Sequence, residues 1–241
     1  MNELKKFWKV YNHWLLLLVF FVLFIVFSFV HFTMSPTSHP RLSSFVGGLA
    51  AAFLVATLQF VIQLHEQIKL SRFRYHGVID FLEERSGKDA YKAIIKTAKK
   101  STKIQLQGVT GSRFLQDFAD FKDDKARALI DALDRGVMVE ILVAHSLYLE
   151  PDNKPDLLNK TVKLAAELLN KYPTLFFIKY YESSPSHNIL ACGEVCIVGP
   201  IFKGKSSKNS PAIIFDRSGS YVSAYLENFT NMWAAASADY E

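Results

Sequence analysis

The sequence predicts an α/β protein: a mixed-sheet layered domain preceded by an α-helical transmembrane hairpin. Three observations carry that prediction. Apolar residues make up 50% of the 241 residues, and the excess is concentrated in the first quarter. That quarter holds two long apolar runs separated by a short polar linker. From about residue 77 onward, short apolar strands alternate with amphipathic segments, the rhythm of a sheet covered by helices.

The first apolar run, "WLLLLVFFVLFIVFSFV", covers residues 14–30 with Ser28 as its one polar member, and residues 31–33 extend it. At 1.5 Å per residue this length approaches the ~30 Å hydrocarbon core of a bilayer. A cleaved signal peptide would have a shorter apolar region ending at a small-residue cleavage site, and none is evident. The second run covers residues 45–62. The expected spans are 14–33 and 43–63, joined by "TMSPTSHPR", where Pro36 and Pro40 stop helices. Ser44, Gly48, Ala52 and Ala56 recur every fourth residue, a small-residue stripe suited to close helix packing within the hairpin or between copies.

Lys5, Lys6 and Lys9 precede the first span, and Lys69, Arg72 and Arg74 follow the second. Between the two apolar runs the only basic residues are Arg41 and two histidines, His31 and His39. The positive-inside tendency therefore places both termini in the cytoplasm, with Trp8, Tyr11 and Trp14 as an interfacial belt. The expected location is the inner, cytoplasmic membrane, crossed twice. Residues 1–76 form the hairpin and a helical stalk, and residues 77–241 the cytoplasmic domain. Membrane lipids are thus expected partners.

Within that domain, 89–100 reads as a helix and 103–108 as a strand ending at Gly108. Residues 123–136 read as a helix with acidic residues first and Gly136 last. Residues 137–144 form a continuous apolar strand of the kind buried on both faces. A helix at 156–172, a strand at 174–181, a strand pair turning at Gly193, a strand at 212–216 and a closing helix at 221–237 complete the order. Cys192 and Cys196, taken as lying in one strand, would share a face and pack as small core residues. The net charge of +5 permits contact with anionic lipid or nucleic acid and argues for neither.

No phosphate-binding glycine loop, HExxH or GxSxG motif is present, so no cofactor and no metal site is expected. Strand ends in α/β sheets are where sites form, which singles out His145 and His187. The segment "HNILACGEVCIVGP" opens on His187, and three other segments accompany it in order: "AYKAIIKTAKKSTKIQLQGVTGSRFL", "ALIDALDRGVMVEILVA" and "AIIFDRSGSYVSAYLENFTNMWAAAS". Together they resemble the phospholipase D superfamily over roughly residues 75–237. That family's motif is HxKxxxxD followed by a strand ending in glycine. His187 matches the histidine and Gly199 the glycine, while Ile189 stands at the lysine position and Glu194 at the aspartate position.

The resemblance implies a phosphodiesterase chemistry that this chain carries in degenerate form. In the family the histidine attacks phosphorus to form a covalent intermediate, and a second motif's histidine protonates the leaving oxygen. The lysine stabilises charge on the phosphoryl oxygens, and losing one such donor typically costs ~10²–10³ in rate. Single-motif members pair two copies, so a homodimer or higher oligomer is implied. His187 and Glu194 are the catalytic candidates. Lys203, Lys205, Lys208 and Arg217 join His187 as candidate ligands for a phosphate-containing molecule, whether lipid, nucleotide or nucleic acid.

The expected function is that of a membrane-anchored pseudoenzyme, a sensor, scaffold or regulatory effector. A role in antiviral defence fits the layout by analogy alone. Two alternatives stand beside it: an active dimeric phosphodiesterase using His187 from both subunits, and an effector whose hairpin disrupts the bilayer.

Overall fold

The computed structural model describes residues 2–33, 40–85, 88–205 and 207–240, with the side chains of residues 2–13 and Ser207 outside that description. The linker residues 34–39, including Pro36, and the side chains of Lys5, Lys6, Trp8, Lys9 and Tyr11 therefore lie outside the described residues. The chain divides into two units, residues 1–72 and 73–241.

The first unit is a pair of helices, α1 (Asn2–Thr33) and the amino-terminal part of α2 (Pro40–Tyr75). Both are long and apolar enough to cross a membrane. α2 runs unbroken to Tyr75, and Gly77 follows at φ 83°, a left-handed conformation natural to glycine. The two helices meet through aromatic rings of α1 set against α2. Phe27 stacks on Phe53 at 5.5 Å, and Phe20 meets Phe53 and Phe60 at 6.4 and 6.2 Å. His31 Nδ1 donates to the Ser43 carbonyl oxygen at 3.0 Å, and its ring lies over Gly47.

This contact face differs from the small-residue stripe. Ser43, Val46 and Ala50 are buried, whereas Ser44, Gly48 and Ala52 are exposed and Ala56 is half-buried. A Cβ added at Gly48 would meet nothing within 4 Å. The hairpin seam is offset by one residue because the ring of His31 needs the gap that Gly47 leaves. Ser44, Gly48 and Ala52 of the stripe thus lie outside this seam.

The second unit is built on a seven-stranded mixed sheet. Its strands are β1 (Val78–Leu82), β2 (Lys103–Gly108), β3 (Met138–Ala144), β4 (Phe176–Tyr181), β5 (His187–Cys192), β6 (Val195–Pro200) and β7 (Ala212–Asp216), in the order β1-β7-β6-β5-β2-β3-β4. β2, β3 and β4 are mutually parallel, and the other pairings are antiparallel. The parallel strands are joined by helical crossovers, as parallel pairing requires. α3 (Lys88–Thr97) precedes β2, and α4 (Ser112–Phe118) and α5 (Ala128–Asp134) lie between β2 and β3. α6 (Lys154–Asp156), a π-helical turn (Leu157–Thr161) and α7 (Val162–Lys171) lie between β3 and β4, and α8 (Ser220–Ala235) closes the chain.

Two helices differ from their sequence reading, each for a visible reason. The segment expected as one helix over 123–136 begins as a 3-10 turn. The Asp123 carboxylate accepts from the Lys125 amide at 2.9 Å, and Arg127 leaves helical geometry at φ −102°, ψ 3°. The segment expected over 156–172 widens into a π turn, where the buried Thr161 hydroxyl donates to the Thr110 carbonyl at 2.7 Å. Cys192 and Cys196 are also corrected: they flank the turn at Gly193 rather than share a strand. Cys192 pairs in register with Val195 and Cys196 with Ala191, so the two thiols face opposite sides of the sheet. Burial pushes them up to about 11 and about 12, which leaves both as unreactive core groups.

The core is the buried sheet. Residues 139–144 of β3 are all buried, as its largely apolar run foretells, with Glu140 the one charged member. α3 and α8 lie on opposite faces. Cys192 donates its thiol to the Ile94 carbonyl of α3 at 3.4 Å, while Gln107, the register partner of Ile189, reaches Met232 Sδ of α8 at 3.6 Å.

Candidate functional site

One edge of the sheet gathers the carboxyl ends of β2, β3 and β4, the start of β5, the end of β6 and the start of β7. His187 and Asn188 stand there, and strand alternation sends them to opposite faces. That single fact divides the site into two halves.

On the α8 face, His187 Nδ1 lies 2.8 Å from Ser186 Oγ, and its ring meets Tyr225 edge-on at 5.3 Å. Its Nε2 is buried without a hydrogen-bond partner among the described residues. Burial lowers its pKa, because charging an imidazole there would forfeit hydration that nothing replaces. The groove beside it is lined by Ser186, Val198, Gly199, Pro200, Ile213, Phe215, Tyr221 and Tyr225, none of them charged. Ile189, at the motif's lysine position, is 1% exposed on the same face and buried in the sheet between Gln107 and Val198.

On the α3 face lies a cavity of about 150 Å³. Arg85, in the loop between β1 and α3, reaches its mouth. Its Nη2 donates to the Pro200 carbonyl at 3.0 Å. With the Asn188 carboxamide turned oxygen-inward, that oxygen accepts from both terminal nitrogens of Arg85, at 3.2 Å from Nη2. Gly199 makes room for the guanidinium, since a Cβ there would come within 3.0 Å of Arg85 Nη1. Lys88 and Arg113 line the cavity too, bound to Asp117 at 2.5 and 3.3 Å, and Lys208 completes the basic lining. Tyr91 and Phe118 stack at 6.3 Å to form an aromatic wall.

The remaining sequence-derived candidates are not assembled with His187. Glu194 is exposed in the β5–β6 turn, separated from His187 by the length of β5, about 17 Å of strand. Arg217 sits near that turn, its amide donating to the Glu194 carbonyl at 2.8 Å. Its guanidinium donates to Gln105 Oε1 at 2.8 Å. Gln105 Nε2 in turn donates to the buried Glu140, which also holds Lys103 at 2.6 Å. Arg217 thus belongs to a network that settles a buried carboxylate. Lys203 and Lys205 are exposed, and Lys205 lies over the Phe202 ring at 5.9 Å. Lys208 alone among the predicted cations lines a cavity, on the face opposite His187. His145 caps a 3-10 turn, its Nδ1 accepting from the Leu147 amide at 3.3 Å.

Sequence reasoning missed Arg85 and Asn188. The first is one of 28 basic residues and sits in no motif, and the second is the filler residue of the motif. The sheet order β1-β7-β6-β5 brings them together, setting the loop after β1 beside the end of β6 and the start of β5.

No family model matches this chain, and no curated protein matches it. Among solved structures it is similar to the archaeal chromatin protein TrmBL2, described as showing a novel mode of DNA binding. The identity is 14%, with 80% of this chain and 70% of that chain covered and a TM-score of 0.46. It is also similar to Nuc, a phospholipase D family member from Salmonella typhimurium. There the identity is 16%, with 65% of this chain and 92% of that chain covered and a TM-score of 0.42.

Proposed function

We propose that this chain is a membrane-anchored phospholipase D-like protein that does not hydrolyse phosphodiesters and serves as a sensor, scaffold or regulatory module. On this reading it crosses the inner membrane twice, with both termini and the α/β domain in the cytoplasm, and works as a homo-oligomer. Service as an effector in antiviral defence belongs to the same proposal by analogy of layout.

The observation that carries it is that, among the described residues, no charged side chain lines the groove at His187. A nucleophilic imidazole needs an open lone pair and positive charge near the phosphoryl oxygens. His187 instead keeps Nε2 buried in an uncharged groove beside the Tyr225 ring. Arg85, Lys88, Arg113 and Lys208 line the cavity on the other face instead. What is left is a domain suited to binding.

The test is a turnover assay on the purified full chain in detergent with a chromogenic phosphodiester, beside His187→Ala. The expected rate equals that of the variant. Clear turnover that disappears in His187→Ala would establish the active dimeric phosphodiesterase instead.

A further inference from the structure

We infer that the cavity on the α3 face binds a small phosphomonoester, with the Arg85 guanidinium as its main charge partner. The inference rests on reading the domain as a binding module, and it moves the ligand from the His187 face to the opposite one.

Charge comes first. Arg85, Lys88, Arg113 and Lys208 line the cavity against one carboxylate, Asp117, so four positive groups face one negative group. Asp117 is already engaged by Lys88 and Arg113. Arg85 is held by two neutral acceptors, the Asn188 carboxamide and the Pro200 carbonyl. Those bonds fix the guanidinium in place without neutralising it. Its Nε is buried with no hydrogen-bond partner among the described residues. A buried donor left unpaired is costly, and an anionic oxygen arriving there would form a charge-assisted bond.

Shape and polarity follow. Phosphate offers clustered acceptor oxygens to the guanidinium N–H groups that Asn188 and Pro200 leave unused. Behind the basic rim stands the stacked pair Tyr91 and Phe118, an apolar wall that inorganic phosphate would leave unused. A ligand with phosphate at one end and an organic body at the other uses both. A nucleoside monophosphate and a lipid phosphomonoester offer the same chemistry.

The experiment is calorimetric titration of the full chain in nonionic detergent with inorganic phosphate, adenosine monophosphate and dihexanoyl phosphatidic acid. We expect one of the two organic esters to bind about tenfold tighter than phosphate, and Arg85→Ala to weaken it by about tenfold or more. Arg85→Lys should restore part of the loss, and His187→Ala should leave affinity unchanged. Lys208→Ala, at an exposed position, is the second cavity variant and should weaken binding several-fold. The inference is overturned if neither ester binds, if binding survives both cavity variants, or if it is lost in His187→Ala. Turnover measured on the same samples separates the two readings. Phosphodiester hydrolysis dependent on His187 removes the non-hydrolytic reading, whereas absent binding without turnover removes this cavity alone.

Discussion

His187 sits where burial opposes its charged form, with Nδ1 beside Ser186 Oγ and its ring against Tyr225. Its folded pKa is lowered from the ordinary 6.5, so protonation favours the unfolded chain. The neutral ring therefore contributes stability that is present above pH 6.5 and lost as pH falls through the folded pKa. Thermal melts of the full chain at pH 7.5 and 5.5 should show a larger drop in Tm for the wild type than for His187→Gln. Equal drops would mean that the ring titrates freely and that the Tyr225 contact does not hold it. The sequence made His187 visible because a lone histidine at a strand start is a recognisable signal. It could not show which face the ring takes or what covers it, since that depends on α8, 33 residues further on at Ser220.

At the scale of elements, the strands with strong periodicity were legible. β2 and β7 occupy the ranges that their patterns predict, 103–108 and 212–216. β1 was not legible: "VIDFL" is an edge strand whose central three residues are exposed, so it has no apolar rhythm to read. Its ladder with β7 is reinforced by a contact between two glycines. Gly77 and Gly219 approach so closely that a Cβ on either would come within 2.6–2.7 Å of the other's Cα. The Gly77 carbonyl also accepts from the Asp216 amide at 2.7 Å, tying the entry to β1 to the exit from β7. The atoms in the way are backbone, which cannot swing aside. Gly77→Ala and Gly219→Ala should each destabilise the fold by about 1–3 kcal/mol, the usual range for overpacking. Gly193→Ala is the control. It shares the left-handed backbone of Gly77, at φ 57°, but has nothing within 4 Å, and should cost only about 1–2 kcal/mol of conformational strain. Gly219 has φ −66° and no such strain, so a large loss in Gly219→Ala isolates the steric contribution. Denaturant unfolding of the three variants measures the ranking. A Gly219→Ala variant as stable as the wild type would show that β1 is anchored by other contacts.

For the whole molecule, the open question is what the outer face of α2 is for. The hairpin consumes the face that carries Ser43, Val46, Gly47 and Ala50, because His31 and the phenylalanines of α1 lie there. The stripe of Ser44, Gly48 and Ala52 is left exposed, with open space above Gly48. In lipid, apolar side chains gain nothing by leaving the hydrocarbon, so association depends on how closely backbones can approach. A face of small residues is where a second copy can come nearest, which is the arrangement that the proposed homo-oligomer needs. Gly48→Leu with Ala52→Leu should therefore lower the yield of cross-linked oligomer in native membranes several-fold while the protein still inserts. The control is His31→Leu with Gly47→Leu, which strikes the intramolecular seam and should impair insertion or stability instead. Oligomer yield unchanged by the stripe pair would place the contact between copies in the α/β domain, and the hairpin would then be an anchor alone.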